Sequence, residues 1–135
     1  MTTPGTRADG QTLPGSRLRR VTEYIREHLD QHLTLAQLGA VVCMSPYHFA
    51  RLFQHSTGLP PHRFVVRARI DHAASLLLAA PEPSIARISQ TVGFRTPSHF
   101  ATVFRRLMGV TPRAYRAAYV RAGLSHRRGG RDEME

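Results

Sequence analysis

Two groups of side chains in this sequence have the types and the spacing to grip or read an anionic polymer. Tyr47, Ala50, Arg51 and Gln54 fall at i, i+3, i+4 and i+7, and Ser98, Ala101, Thr102 and Arg105 repeat that spacing. Each group would therefore line one face of a helix. Arginine presents a planar fork of donors that holds phosphate or guanine in bidentate fashion. Tyr47, directly after Pro46, has the shape to stack on a sugar or touch a thymine methyl. Arg95, Thr96 and Pro97 lead into the second group and Arg106 follows it. Of Arg95, Arg105, Arg106, Arg113 and Arg116, two or three are expected to bind phosphate while the others pair or face solvent.

Other chemistries find little support. Within residues 34–119 the only acids are Asp71 and Glu82, and no glycine loop leads into a helix as a phosphate cradle would. No enzyme is expected, because hydrolysis or phosphoryl transfer wants clustered carboxylates or a nucleophile beside its base. His28 and His32 have i, i+4 spacing but no third ligand pattern, so solvent exposure is expected rather than metal binding. His48 and His99 occupy equivalent places and should share a structural or phosphate-contacting role. Cys43 is expected to be a small core filler. No cofactor is expected.

The charge agrees with the first reading. All 19 basic residues are arginine against nine acids, a formal net charge of +10 over 135 residues. Residues 1–33 carry five Arg and four acids, residues 34–119 ten Arg and two acids, and residues 120–135 four Arg and three acids, or +1, +8 and +1. The excess thus sits in the middle segment, where phosphate neutralisation with counterion release would supply sequence-independent affinity. The bland alternative is a basic face that only keeps the protein soluble. The length implies one domain plus tails, or two very small domains. A lone cysteine fits a reducing compartment, the nearly uncharged run Ala73 to Pro81 is too short to cross a bilayer, and the start has no signal-like apolar stretch. The expectation is a cytoplasmic protein with no membrane partner.

The elements that must position these side chains are helices. Residues 1–15 are rich in breakers, with Leu13 the one large apolar group, and are expected to form a flexible arm; residues 120–135 should form a flexible tail. Leu18, Val21, Ile25 and Leu29 describe an amphipathic helix behind a Ser16 cap. Thr34 and Gln37 form a capping-box pattern ahead of a short helix with Leu35, Leu38 and Val42 on one face. Ser45-Pro46 opens a helix carrying Phe49, Leu52 and Phe53, and Gly58 ends it. A long helix runs from Pro61 to about Ala79, with Phe64, Ile70, Leu77 and Leu78 available to a core. No segment alternates with period two, so no sheet is expected.

The next forty residues repeat this pattern. Ser84-Ile85-Ala86-Arg87-Ile88 mirrors Thr34-Leu35-Ala36-Gln37-Leu38 at an offset of 50, and after one inserted residue near the turn the offset becomes 51. Pro46, His48, Phe49, Ala50, Phe53, Gly58 and Pro61 then meet identical residues at 97, 99, 100, 101, 104, 109 and 112. Each unit is a short capped helix, a turn (Cys43-Met44, then Gly93-Phe94) and a second helix with an aromatic pair at i and i+4, which is a helix-turn-helix grammar. The outer face of each second helix is left free to enter a major groove of double-stranded DNA. The expected fold is all-α: two helix-turn-helix subdomains, about 35–58 and 84–108, joined by a linker helix at about 61–79. That linker spans roughly 28 Å, against about 34 Å between successive major grooves.

From about Leu18 to Ala118 the chain resembles the DNA-binding domain of the AraC/XylS family of bacterial transcription regulators. The resemblance is carried by Val92-Gly93-Phe94, Ser98-His99-Phe100, Phe104-Arg105-Arg106, Gly109-Val110-Thr111-Pro112 and Tyr115-Arg116. It implies seven helices over residues 16–119, with Tyr47, Ala50 and Arg51 facing bases in one groove and Ser98, Ala101 and Thr102 in the next. Members often carry arginine where this chain has Thr102. Most also carry a sensing or dimerising domain for which these 135 residues leave no room. The resemblance therefore implies a stand-alone, monomeric regulator that contacts RNA polymerase, most often as an activator. A nonspecific architectural DNA binder is the alternative, since charge alone would serve it.

Overall fold

A computed structural model describes residues 12–79 and 83–118. Seven helices occupy them: α1 (Gly15–Glu27), α2 (Leu35–Val41), α3 (Pro46–Thr57), α4 (Pro61–Leu77), α5 (Ile85–Thr91), α6 (Pro97–Met108) and α7 (112–118). The described residues contain no strand. The chain divides into two compact units, Met1–Ala68 and Arg69–Glu135, with the division inside α4. The expected tail and most of the expected arm lie outside the described residues.

Unit 1 is built on the apolar stripes read from the sequence. Val21 and Ile25 of α1, Leu38 of α2 and Phe49, Leu52 and Phe53 of α3 are buried in one cluster, which Val65 of α4 joins. Phe49 and Phe53, four residues apart, lie at a ring separation of 5.3 Å, and Phe64 meets Phe53 edge-on at 5.1 Å. Burying each such ring contributes about 1.5–3 kcal/mol.

The start of this unit corrects three expectations. Leu13, assigned to the arm, is buried in the cluster, and its backbone N–H donates to Ser56 Oγ at 2.8 Å. Pro14 rather than Ser16 flanks the helix; Leu18 N–H donates to the Pro14 carbonyl at 2.9 Å, and no side chain caps α1. His28 is half-buried rather than exposed, its ring stacked on Tyr24 at 4.0 Å and its Nδ1 2.7 Å from the Tyr24 carbonyl. The capping box at α2 forms as expected, with Thr34 Oγ1 accepting from Gln37 N–H and Gln37 Oε1 accepting from Thr34 N–H. Leu35, however, is 41% exposed. The buried residues of this short helix, Leu38 and Gly39, lie past its first turn, which carries Leu35 beyond the core edge.

Unit 2 repeats the plan. Ile70, Ala73 and Leu77 from the second half of α4, Ile88, Val92, Phe94, and Phe100, Val103 and Phe104 of α6 are buried. Phe100 and Phe104 sit 5.7 Å apart, and Tyr115 of α7 meets Phe104 edge-on at 5.5 Å, as Phe64 meets Phe53. The internal repeat thus extends through the first turn of the helices that follow α3 and α6.

The two turns share one geometry. Met44 N–H donates to Gly39 O and Cys43 N–H to Ala40 O, and in unit 2 Phe94 N–H donates to Ser89 O and Gly93 N–H to Gln90 O. Both are Schellman endings, which place the residue after the helix cap in the left-handed region. That residue is Gly93 at φ 94° in unit 2, but Cys43 at φ 59° in unit 1. Cys43 is exposed, so it is a strained turn residue and not the core filler expected. A side chain there costs about 1–2 kcal/mol, partly offset by the greater unfolded-state freedom of glycine. Cys43→Gly is accordingly expected to stabilise the protein by about 0.5–1 kcal/mol, and Gly93→Ala to destabilise it by about 1–2 kcal/mol. Urea midpoints of the two variants check both signs.

Candidate nucleic-acid interface

Helices α3 and α6 are each set by a cap and a turn. Ser45 Oγ accepts from His48 N–H at 3.3 Å and Thr96 Oγ1 from His99 N–H at 3.1 Å, with Pro46 and Pro97 opening the two helices. Gly58 and Gly109 close them in the left-handed region, at φ 83° and 85°. Between those limits α3 buries Phe49, Leu52 and Phe53, and α6 buries Phe100, Val103 and Phe104.

At about 100° per residue the opposite face of α3 carries Tyr47, Arg51 and Gln54. Tyr47 is 89% exposed, Pro46, Arg51 and Gln54 are exposed, and Ala50 is half-buried. On α6 the matching face carries exposed Ser98, Thr102 and Arg105 with half-buried Ala101. Arg95, Thr96 and Pro97 are exposed ahead of it, and exposed Arg106 flanks it. The structure therefore brings the unit 1 candidates to one helical face, and places the unit 2 candidates on one helix and the turn before it. Among the described residues no ion pair or side-chain hydrogen bond engages Arg51, Arg95, Arg105 or Arg106. Neither helix contains an acid. Two cationic faces with small alanines at the matched position can approach a polyanion closely, with donors unspent.

Of the five arginines expected to divide between phosphate contacts and other roles, Arg116 is one that pairs within the protein. Arg116 Nε donates to Leu77 O at 3.0 Å and its Nη2 to Pro83 O at 2.7 Å. It thereby ties α7 to the end of α4 and to the lead-in of α5 within unit 2, satisfying a terminal helix carbonyl. Nothing in the spacing of the arginines separates this tie from a solvent-facing residue, because the carbonyls it meets are 39 and 33 residues away. Thr102 is exposed, and its hydroxyl donates to Ser98 O at 3.0 Å, within the helix. No group of three or more His, Cys, Asp or Glu able to hold a metal occurs among the described residues.

A family model described as a helix-turn-helix domain matches residues 38–118. A transcriptional regulator from Chromobacterium violaceum, described as of the AraC-type DNA-binding domain-containing proteins, superposes with a TM-score of 0.73 at 25% identity, over 77% of this chain and 92% of that one. The chain belongs to the AraC/XylS family of DNA-binding transcription regulators. The DNA-binding domain of AdpA, a global transcriptional factor solved in complex with a target DNA, shares the AraC-type fold with this chain at 34% identity and a TM-score of 0.70, over 76% of this chain and 92% of that one. Regulatory protein PocR of Salmonella typhimurium is 37% identical over 107 residues, 79% of this chain and 35% of that protein. The arabinose operon regulatory protein of Escherichia coli is 32% identical over 103 residues, 76% of this chain and 35% of its own length. This AraC/XylS-type chain thus spans about a third of the length of such curated relatives.

Proposed function

We propose that the chain binds double-stranded DNA at a specific sequence, α3 entering one major groove and α6 the next, and regulates transcription from that site. One observation carries the reading: two helices, equivalent by an internal repeat, each expose an acid-free, arginine-bearing face directly opposite a fully apolar one. Pro46, Tyr47, Ala50, Arg51 and Gln54 serve the first groove. Arg95, Thr96, Pro97, Ser98, Ala101, Thr102, Arg105 and Arg106 serve the second. The chain acts as a monomer in the cytoplasm, contacts RNA polymerase, and most often activates. It has no catalytic role of its own; AdaA of Bacillus subtilis, described as a bifunctional transcriptional activator and DNA repair enzyme, matches it over 45% of its length only. No helix among the described residues is long and apolar enough to cross a membrane.

Selection of preferred duplexes from a random pool, followed by footprinting of the winner, tests the reading. Protection of about 20 base pairs, two helical turns, is the expected result. The nonspecific architectural alternative yields no preferred sequence. Affinity should also fall steeply with salt, because each neutralised phosphate releases counterions. Arg106→Gln is expected to lower the slope of log affinity against log salt by about 0.9, as measured by titration at several ionic strengths.

A further inference from the structure

The two recognition faces are equivalent in backbone and unequal in chemistry. At the offset of 51, Tyr47 is matched by Ser98, Arg51 by Thr102, Gln54 by Arg105 and His55 by Arg106. Both helices have the same cap, the same opening proline and the same buried aromatic pair, so matched residues leave their helices from the same turn in the same direction. In α3 the first two turns carry long, donor-rich side chains. In α6 the places of Tyr47 and Arg51 are taken by Ser98 and Thr102, which are shorter by several bonds, while Ala101 matches Ala50. The hydroxyl hydrogen of Thr102 is already given to Ser98 O, so its oxygen retains only acceptor capacity and offers no bidentate donor pattern.

The arginines of unit 2 stand elsewhere. Arg105 and Arg106 occupy the last turn of α6. Arg95 lies in the turn before α6, which is one residue longer than its counterpart in unit 1. Residues near the start of a recognition helix reach base edges, while cations away from that point meet the strands that flank the groove.

We infer that the two units divide recognition: unit 1 discriminates bases through Tyr47 and Arg51, and unit 2 anchors the chain on phosphates through Arg95, Arg105 and Arg106. This rests on the reading of the chain as a sequence-specific duplex binder. The binding site consequently has one run of strongly preferred bases, and beside it a segment that is covered but nearly indifferent to sequence.

Selection from a random duplex pool with the full chain and with surface variants tests the division. The wild type should enrich one run of preferred bases, with backbone protection extending about 10 base pairs to one side of it. Arg51→Thr should flatten preference within that run and lower affinity for the enriched duplex about 10- to 100-fold, with less than about a 3-fold change on random duplex. Thr102→Arg should create a new base preference in the adjoining segment. Arg105→Gln should weaken enriched and random duplex by the same factor and lower the salt slope by about 0.9. Two separate runs of preferred bases, one of them erased by Ser98→Ala, Thr102→Ala or Arg105→Gln, would overturn the division while leaving specific binding intact. A pool that returns no enriched sequence would overturn the sequence-specific reading, and the division with it.

Discussion

Arg51→Ala is expected to cost about 1–3 kcal/mol of binding to the preferred duplex and much less on random duplex. Arg51 is exposed in the second turn of α3, between buried Phe49 and buried Leu52, so those two residues fix the direction in which it leaves the helix. An arginine held on such a short, doubly anchored helix loses less freedom on binding than one on a loop. Its fork suits the two acceptors of a guanine edge, and substitution removes both bonds at once. Because the side chain packs against nothing in the core, the variant should unfold at the wild-type denaturant concentration. Equilibrium titration against the preferred and a random duplex at one salt concentration checks the prediction. Equal losses on both would reassign Arg51 to a phosphate.

Gly39→Ala is expected to be the most damaging single-methyl change in unit 1, destabilising the protein by about 2–3 kcal/mol. A Cβ at position 39 would lie 2.7 Å from the Met44 carbonyl oxygen and 3.3 Å from that of Ser45. Those atoms are backbone of the turn itself, and Gly39 O accepts the Met44 N–H that closes it. Relief therefore requires the turn to open, which would also shift the Ser45 cap and hence the direction of α3. The counterpart in unit 2 is Ser89, fully buried, its hydroxyl donating to Ala86 O at 2.8 Å. Unit 2 tolerates a side chain there because its turn is one residue longer, the residue being absorbed between Phe94 and Thr96. Ser89→Ala should accordingly cost less than about 1 kcal/mol, the worth of one exchanged hydrogen bond. Chemical denaturation of both variants, with DNA titration of Gly39→Ala at low temperature, separates the stability effect from the binding effect.

These two residues show how far the sequence could be read. The repeat, the Thr34, Ser45, Ser84 and Thr96 caps and the Gly58 and Gly109 endings are local chemistry, written within four residues of where they act, and the helices follow from them. The outward faces follow as well, because an apolar triplet such as Phe49, Leu52 and Phe53 dictates what must point away. The one-residue insertion was legible as a change of offset, but its consequence, room for a side chain at 89 and none at 39, depends on a carbonyl brought back across the turn. Cys43 was misplaced for a related reason. Its hydrophobic character suggested a core position, while the turn requires a left-handed residue, a signal present only in its alignment with Gly93. Leu13 was hidden for another reason, because it acts on Ser56, more than thirty residues away, and the same distance hides which arginine pairs, Arg116 meeting Leu77 and Pro83. No periodicity encodes such a tie. Leu35 shows the opposite error, an apolar residue in register with a core stripe that its short helix carries past the core edge.

The central claim, that the two capped outer helices together recognise a particular duplex sequence, is tested most directly by competition. The full chain bound to its preferred duplex is challenged with a shuffled duplex of the same length and composition at one physiological salt concentration, and the ratio of the two affinities is measured. A preference of about 1,000-fold or more is expected for a specific regulator. A ratio near one, with both duplexes bound equally through phosphate contacts, would contradict it.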